Sequence, residues 1–311
     1  LANDRLLAND PAAALAYLDR GLKVDERELA LQLIKIETLD KMAKSDQAEQ
    51  VYRRLIVLYP DTKAFRHALV QFLVSHQRMA DAEAELRAVV AANPGDASAK
   101  LDVVNFVRAS KGKQAGLVEL EGFIKESPKD SQLRFAQASM YQAEGDGKAA
   151  EAVLRDLITQ AANPRDQTRA KALLAESMLA RNERQAGLAL VEEILATDQR
   201  NEQALVLKAG LEIENGQLDQ AIADLRTMLR DVPDSARAHL LLGKAHEAAK
   251  AKELAGDHYA RAFQASKKAP NFGIAYAEYL LRIGQPAQAE KVLGDVLKAT
   301  PNYVPAIKLL A

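Results

Sequence analysis

The sequence predicts an all-α helical repeat array, on three observations. Small residues recur at Ala48, Ala82, Gly116, Ala150, Gly187, Ala221, Ala255 and Ala289, 34 residues apart except for one interval of 37. Four residues after each comes a larger apolar one (Tyr52, Leu86, Leu120, Leu154, Val191, Leu225, Tyr259, Leu293), and three further on another apolar residue (Leu55, Val89, Phe123, Leu157, Ile194, Met228, Ala262, Val296). Steps of four and three stay on one helix face, so each repeat holds a helix whose buried stripe begins with a residue lacking bulk. A neighbouring backbone can approach closely there. Twelve residues past the small position stands proline at Pro60, Pro94, Pro128, Pro233 and Pro301. With φ fixed and no N–H to donate, it ends one helix and can lead into the next.

This register resembles the tetratricopeptide repeat (TPR), a pair of antiparallel helices in 34 residues with small residues at positions 8 and 20 and proline at 32. The resemblance covers essentially the whole chain and implies a right-handed superhelix, an α-solenoid of helix pairs. Residues 29–303 then form eight units, starting at Leu29, Lys63, Ala97, Ser131, Thr168, Glu202, Ala236 and Pro270. Residues 1–28 read as the C-terminal part of a truncated unit, with Ala14 and Leu18 at positions 20 and 24. Residues 304–311 read as the start of another, closing on Leu309, Leu310 and Ala311. A solenoid normally finishes with a polar capping helix. None is evident, so the chain reads as a segment of a longer array.

Position 8 is bulky in the first three units (Ile36, Val70, Val104) and small in the rest (Ala138, Ala175, Ala209, Gly243, Ala277). Between the two helices of a unit, Gly145, Asn182, Gly216 and Gly284 suit a left-handed residue that ends the first helix. The one irregular interval lies in residues 161–167, where three extra residues are expected to lengthen a turn or helix end and alter the local stacking angle.

With 48% hydrophobic residues and no unbroken apolar run of membrane-spanning length, the segment is expected to carry no direct membrane span. Lys+Arg 42 against Asp+Glu 43 leaves a net charge of −1, which gives no global field to draw in nucleic acid or an anionic membrane. Cysteine is absent. Disulfides, thiolate nucleophiles and thiolate metal sites are thereby excluded, and either redox compartment remains compatible. The opening stretch has neither the basic region nor the apolar core of a signal peptide.

No catalytic residue, cofactor or metal site is expected. The five histidines, His67, His76, His239, His246 and His258, lack the paired spacing with a following glutamate that a zinc protease needs. His239 and His246 fall at positions 4 and 11, which pack between helices. Gly145-Asp146-Gly147-Lys148 lacks the spacing of a phosphate loop and reads as a turn. Phe72, Phe106 and Tyr279 share position 10, a repetition that argues for interhelix packing.

The resemblance implies a binding groove lined chiefly by positions 2, 5, 9 and 12. The polar candidates are Glu37, Asp40, His67, Gln71, Asn105, Arg108, Ser139, Gln142, Glu176, Lys244, Glu247 and Glu278, with the aromatic Phe135 among them. Leu33, Leu101, Val206, Ile213, Leu240, Ile274 and Leu281 make the lining mixed. Only Asn105 and Arg108 match the clamp by which chaperone-binding TPRs hold a terminal carboxylate, and neither neighbouring unit has a basic residue at position 5.

The leading functional expectation is a non-catalytic scaffold for a protein or peptide partner, with no nucleic acid bound. The alanine-rich repeats are similar to those of bacterial envelope TPR proteins of exopolysaccharide export and assembly, which implies a periplasmic location. Alternatives are the substrate-positioning region of a larger glycosyltransferase and a cytosolic, hence cytoplasmic, peptide-binding adaptor. Self-association through uncapped ends is also expected, because Leu309 and Leu310 lack a covering helix.

Overall fold

A computed structural model describes residues 2–310, and its regular structure is entirely helical among them. Leu1 and Ala311, the outermost residues of the two terminal fragments, lie outside the described residues. The chain divides into two compact units, Leu1–Met140 and Tyr141–Ala311.

In the first unit the helices follow in order as α1 (Ala2–Leu7), α2 (Pro11–Val24), α3 (Leu29–Lys41), α4 (Ser45–Leu58), α5 (Lys63–Ser75), α6 (Met79–Ala92), α7 (Ala97–Lys111) and α8 (Lys113–Glu126). α9 (Ser131–Ala143) starts there and runs past its boundary. From α1 to α8 each helix packs on the next along the chain. The position-20 residues Ala48 and Ala82 are wholly buried. Gly116 is buried beside them in register, with Leu55, Leu69, Leu73 and Leu120 filling the space between helices. The bulky position-8 residues Ile36, Val70 and Val104 are also buried.

The second unit continues with α10 (Gly147–Gln160), α11 (Pro164–Ala180), α12 (Arg184–Thr197), α13 (Glu202–Glu214), α14 (Leu218–Asp231), α15 (Ala236–Ala248), α16 (Lys252–Ala265), α17 (Pro270–Arg282), α18 (Pro286–Ala299) and α19 (Val304–Leu310). Here too every position-20 residue is buried: Ala150, Gly187, Ala221, Ala255 and Ala289. Around them lie Leu154, Leu174, Val191, Ile194, Leu225, Leu242, Leu293 and Val296.

Seven of the eight hairpins turn through a left-handed residue at position 15, namely Ala43, Gln77, Gly145, Asn182, Gly216, Lys250 and Gly284, with φ from +56° to +81°. In each, the following N–H reaches back five residues into the first helix, as from Gln217 to the Glu212 carbonyl at 2.8 Å. Orphan carbonyls at the helix end are satisfied in this way. The remaining hairpin is tighter. α7 runs on to Lys111, and Gly112 alone, at φ +99°, separates it from α8.

The three extra residues become helix. Counted from Thr168, the fifth unit should begin its first helix there, yet α11 starts at Pro164 and spans 17 residues where the other complete first helices of the second unit span 13. Asn163 accepts a hydrogen bond from the Arg165 N–H at 3.0 Å, and proline occupies the first helical position. A capping residue followed by proline is a helix start, so the insertion adds a turn to α11 in place of a longer loop.

Candidate interaction surface

On the first unit, α5 and α7 present His67, Gln71 and Asn105 to a single open cleft of about 420 Å³, floored by Met79 and Leu86 and walled by Phe106. His67 Nε2 lies 3.2 Å from the Asp102 carboxylate, linking the two helices across the cleft edge. Beyond that pair a smaller cleft of about 220 Å³ runs towards Lys63, Asn93 and Asp96. The surface offers apolar depth with amide, imidazole and carboxylate groups at its rim, a lining suited to a peptide.

Other predicted positions of this unit are engaged differently. Asp40 meets His76 Nε2 at 2.8 Å, and Glu37 pairs with Lys41 along its own helix at 2.7 Å. Arg108 is half-buried because its backbone lies against Gly116. Ser139 is exposed. Phe135 departs from expectation. Its ring is only 6% exposed and belongs to the packed interior, since an aromatic side chain gains more from losing water than from standing in an open groove.

In the second unit Gln142, Glu176, Lys244 and Glu278 are exposed, while Val206, Ile213, Leu240 and Ile274 are half-buried. Glu247 is committed to the fold. Its carboxylate accepts from the Tyr259 hydroxyl at 2.8 Å and from the Arg282 guanidinium at 2.7 and 3.0 Å, tying α15 to α16 and α17. Burial alone would raise its pKa, but Arg282 and Tyr259 outweigh that and hold the carboxyl below the usual glutamate range. Burial, with the Glu247 charge beside it, pushes the Tyr259 hydroxyl up.

Three imidazoles gather between α15 and α16. His239 Nε2 lies 3.0 Å from the Pro233 carbonyl, and its Nδ1 lies 3.0 Å from His258 Nδ1. Since a carbonyl can only accept, His239 donates from Nε2, and His258 must donate to the free His239 Nδ1. The His246 ring stacks on His258 at 5.5 Å, and its buried Nε2 has no hydrogen-bond partner. Among the described residues no group of three or more histidine, aspartate or glutamate side chains is placed to hold a metal ion. No helix among them is long and apolar enough to cross a membrane.

Residues 116–309 match the family model of the tetratricopeptide repeat protein 21 C-terminal ARM domain, and residues 35–97 match a tetratricopeptide repeat model. The chain belongs to the tetratricopeptide repeat family. Among solved structures it is similar to a TPR protein from Parabacteroides merdae, at 15% identity over 84% of this chain and 98% of that one, with a TM-score of 0.58. It is also similar to the APC/C hetero-tetramer Cut9-Hcn1, at 17% identity over 97% of this chain and 59% of that one, with a TM-score of 0.55. A third likeness is to a thermophilic TPR protein of Thermus thermophilus, at 20% identity over 58% and 96%, with a TM-score of 0.51. No curated protein matches. TPR repeats imply a protein-interaction scaffold, and these likenesses carry the all-α repeat fold.

One part of the TPR surface escaped the residue-type reading. Position 2 carries Arg169, Gln203 and Arg237 in the fifth, sixth and seventh units, and all three line a concavity of about 850 Å³ on the second unit. Position 2 was among the groove positions, so simple periodicity of that position could have found them. The inserted turn that adds Arg165 to the same wall could not be placed from spacing alone.

Proposed function

We propose that this chain is the non-catalytic, partner-binding segment of a larger bacterial envelope TPR protein that serves exopolysaccharide export or assembly from the periplasm. The observation that supports binding best is the cleft of the first unit, where His67, Gln71 and Asn105 ring an apolar floor. Such a lining recognises the backbone and side chains of a peptide without chemistry of its own. The exopolysaccharide role rests on the alanine-rich repeats that resemble those envelope proteins. Self-association has a candidate surface in the exposed Val304, Ile307 and Leu310 of α19.

The test uses the immobilised protein and extract of its host. A partner should be retained by the unaltered chain and lost when His67, Gln71 and Asn105 are all replaced by alanine. Retention by that triple variant, with its helicity intact, overturns the groove as the binding surface. Fractionation of the host with an antibody against the chain should place it in the periplasmic or envelope fraction, and recovery in the cytosol removes the envelope role.

A further inference from the structure

The break in repeat spacing adds Pro164 and Arg165 to one wall of the concavity on the second unit. α13 and α15 begin at position 1 of their units, so position 2 lies at the very start of each helix. α11 begins four residues earlier, and Arg165 therefore stands one turn before Arg169 on the same face. Arg165, Arg169 and Arg237 thus converge on one hollow, with Gln203 between the two units that supply them.

The acidic residues of the hollow are already engaged. Glu202 accepts from the Ser235 hydroxyl at 2.7 Å, and Asp198 accepts from the Asn201 side-chain amide and the Arg200 N–H, both at 3.2 Å. The Arg165 and Arg237 guanidiniums make no hydrogen bond or ion pair among the described residues. Guanidinium forks match carboxylates in two parallel, charge-assisted hydrogen bonds.

We propose that this hollow binds an acidic peptide segment, its carboxylates held by Arg165, Arg169 and Arg237. Gln203 supplies an amide group for the peptide backbone, and Val206 with Leu173 forms an apolar base. A nucleic-acid strand fits worse, because the chain as a whole carries a net charge of −1 and gives a phosphate polymer no extended basic surface to follow. The proposal rests on the scaffold reading above and names one class of partner for it.

The experiment is fluorescence anisotropy on the full chain with a fluorescein-labelled decapeptide alternating Glu and Gly. The same peptide with Gln in place of Glu and a single-stranded DNA oligonucleotide run in parallel. The acidic peptide should bind saturably and the Gln peptide should not. Arg165→Glu and Arg237→Glu should each weaken binding about tenfold, the worth of one charge-assisted pair. Arg237→Lys should retain part of it. Lys148→Glu, which changes net charge equally on an exposed residue outside the hollow, should leave binding unchanged. Equal binding of the Gln peptide, full binding by the folded arginine variants, or preferred binding of DNA that these variants abolish would each overturn the proposal. If the acidic peptide fails while the host partner is still captured through the first-unit cleft, this hollow loses its assignment and the scaffold reading stands.

Discussion

At Gly116 the need for a small residue becomes a distance. A Cβ built there would lie 2.6 Å from the Arg108 Cβ and 3.1 Å from its Cα, so the obstacle includes backbone that cannot rotate aside. Gly187 is equally close to a neighbour, but the contact at 2.6 Å is the far end of the Leu179 side chain. Alanine is ordinarily the better helix former by about 1 kcal/mol. At Gly116 the clash should reverse that gain, and Gly116→Ala should destabilise the protein by about 1–3 kcal/mol. Gly122, on the same helix with nothing within 4 Å of its Cβ position, supplies the contrast, and Gly122→Ala should stabilise by about 0.5–1 kcal/mol. Urea unfolding of the two variants decides the matter. If both gain stability, close approach is not what position 20 selects for.

The turns show which elements the sequence could announce and which it could not. Gly145, Asn182, Gly216 and Gly284 were legible because glycine and asparagine are the residues that tolerate positive φ. Ala43, Gln77 and Lys250 hold the same conformation without that chemical mark. There the hydrogen bonds closing the first helix impose the geometry, as from the Ala251 N–H to the His246 carbonyl at 2.8 Å. The buried faces were legible for a similar reason, since a stripe repeating every 34 residues has one cause. Phe135 and Glu247 were not, because a groove position names a place on a helix and says nothing of what packs over it. Left-handed backbone costs a residue with a Cβ about 1–2 kcal/mol. Lys250→Gly should therefore raise stability by about 0.5–1 kcal/mol after glycine's own entropic cost, and Gly216→Ala should lower it by about 1 kcal/mol. Thermal melts of both variants test the pair, and a Lys250→Gly protein that melts earlier than its parent would show that the side chain contributes more than the turn costs.

Across a whole stack of repeats, each hairpin covers only its neighbours, so a weak hairpin limits the array. The histidine cluster makes α15–α16 that hairpin in acid. Burial is the largest cause holding His239, His246 and His258 below the usual histidine value, and the nearby imidazoles help push His258 to about 4. Arg226 of α14 and Arg261 of α16 oppose protonation, while Asp234 and Asp257 favour it and are outweighed. An unfolded chain with ordinary histidines takes up protons near pH 6.5 that the folded chain refuses. Stability is therefore complete above about pH 6.5, falls as the pH drops towards 4, and changes no further from this source below that. Between pH 7.5 and 5.5, where the ion-paired carboxylates stay charged, the loss should be on the order of 1–3 kcal/mol. His258→Gln should cut it by about half or more. Because α14 and α17 lean on this hairpin, amide exchange normalised to its intrinsic rate should rise across α15 and α16 before it rises elsewhere in the second unit. A urea midpoint that falls as far in the His258→Gln protein, or exchange that rises first around α11, would place the acid weakness outside the three imidazoles.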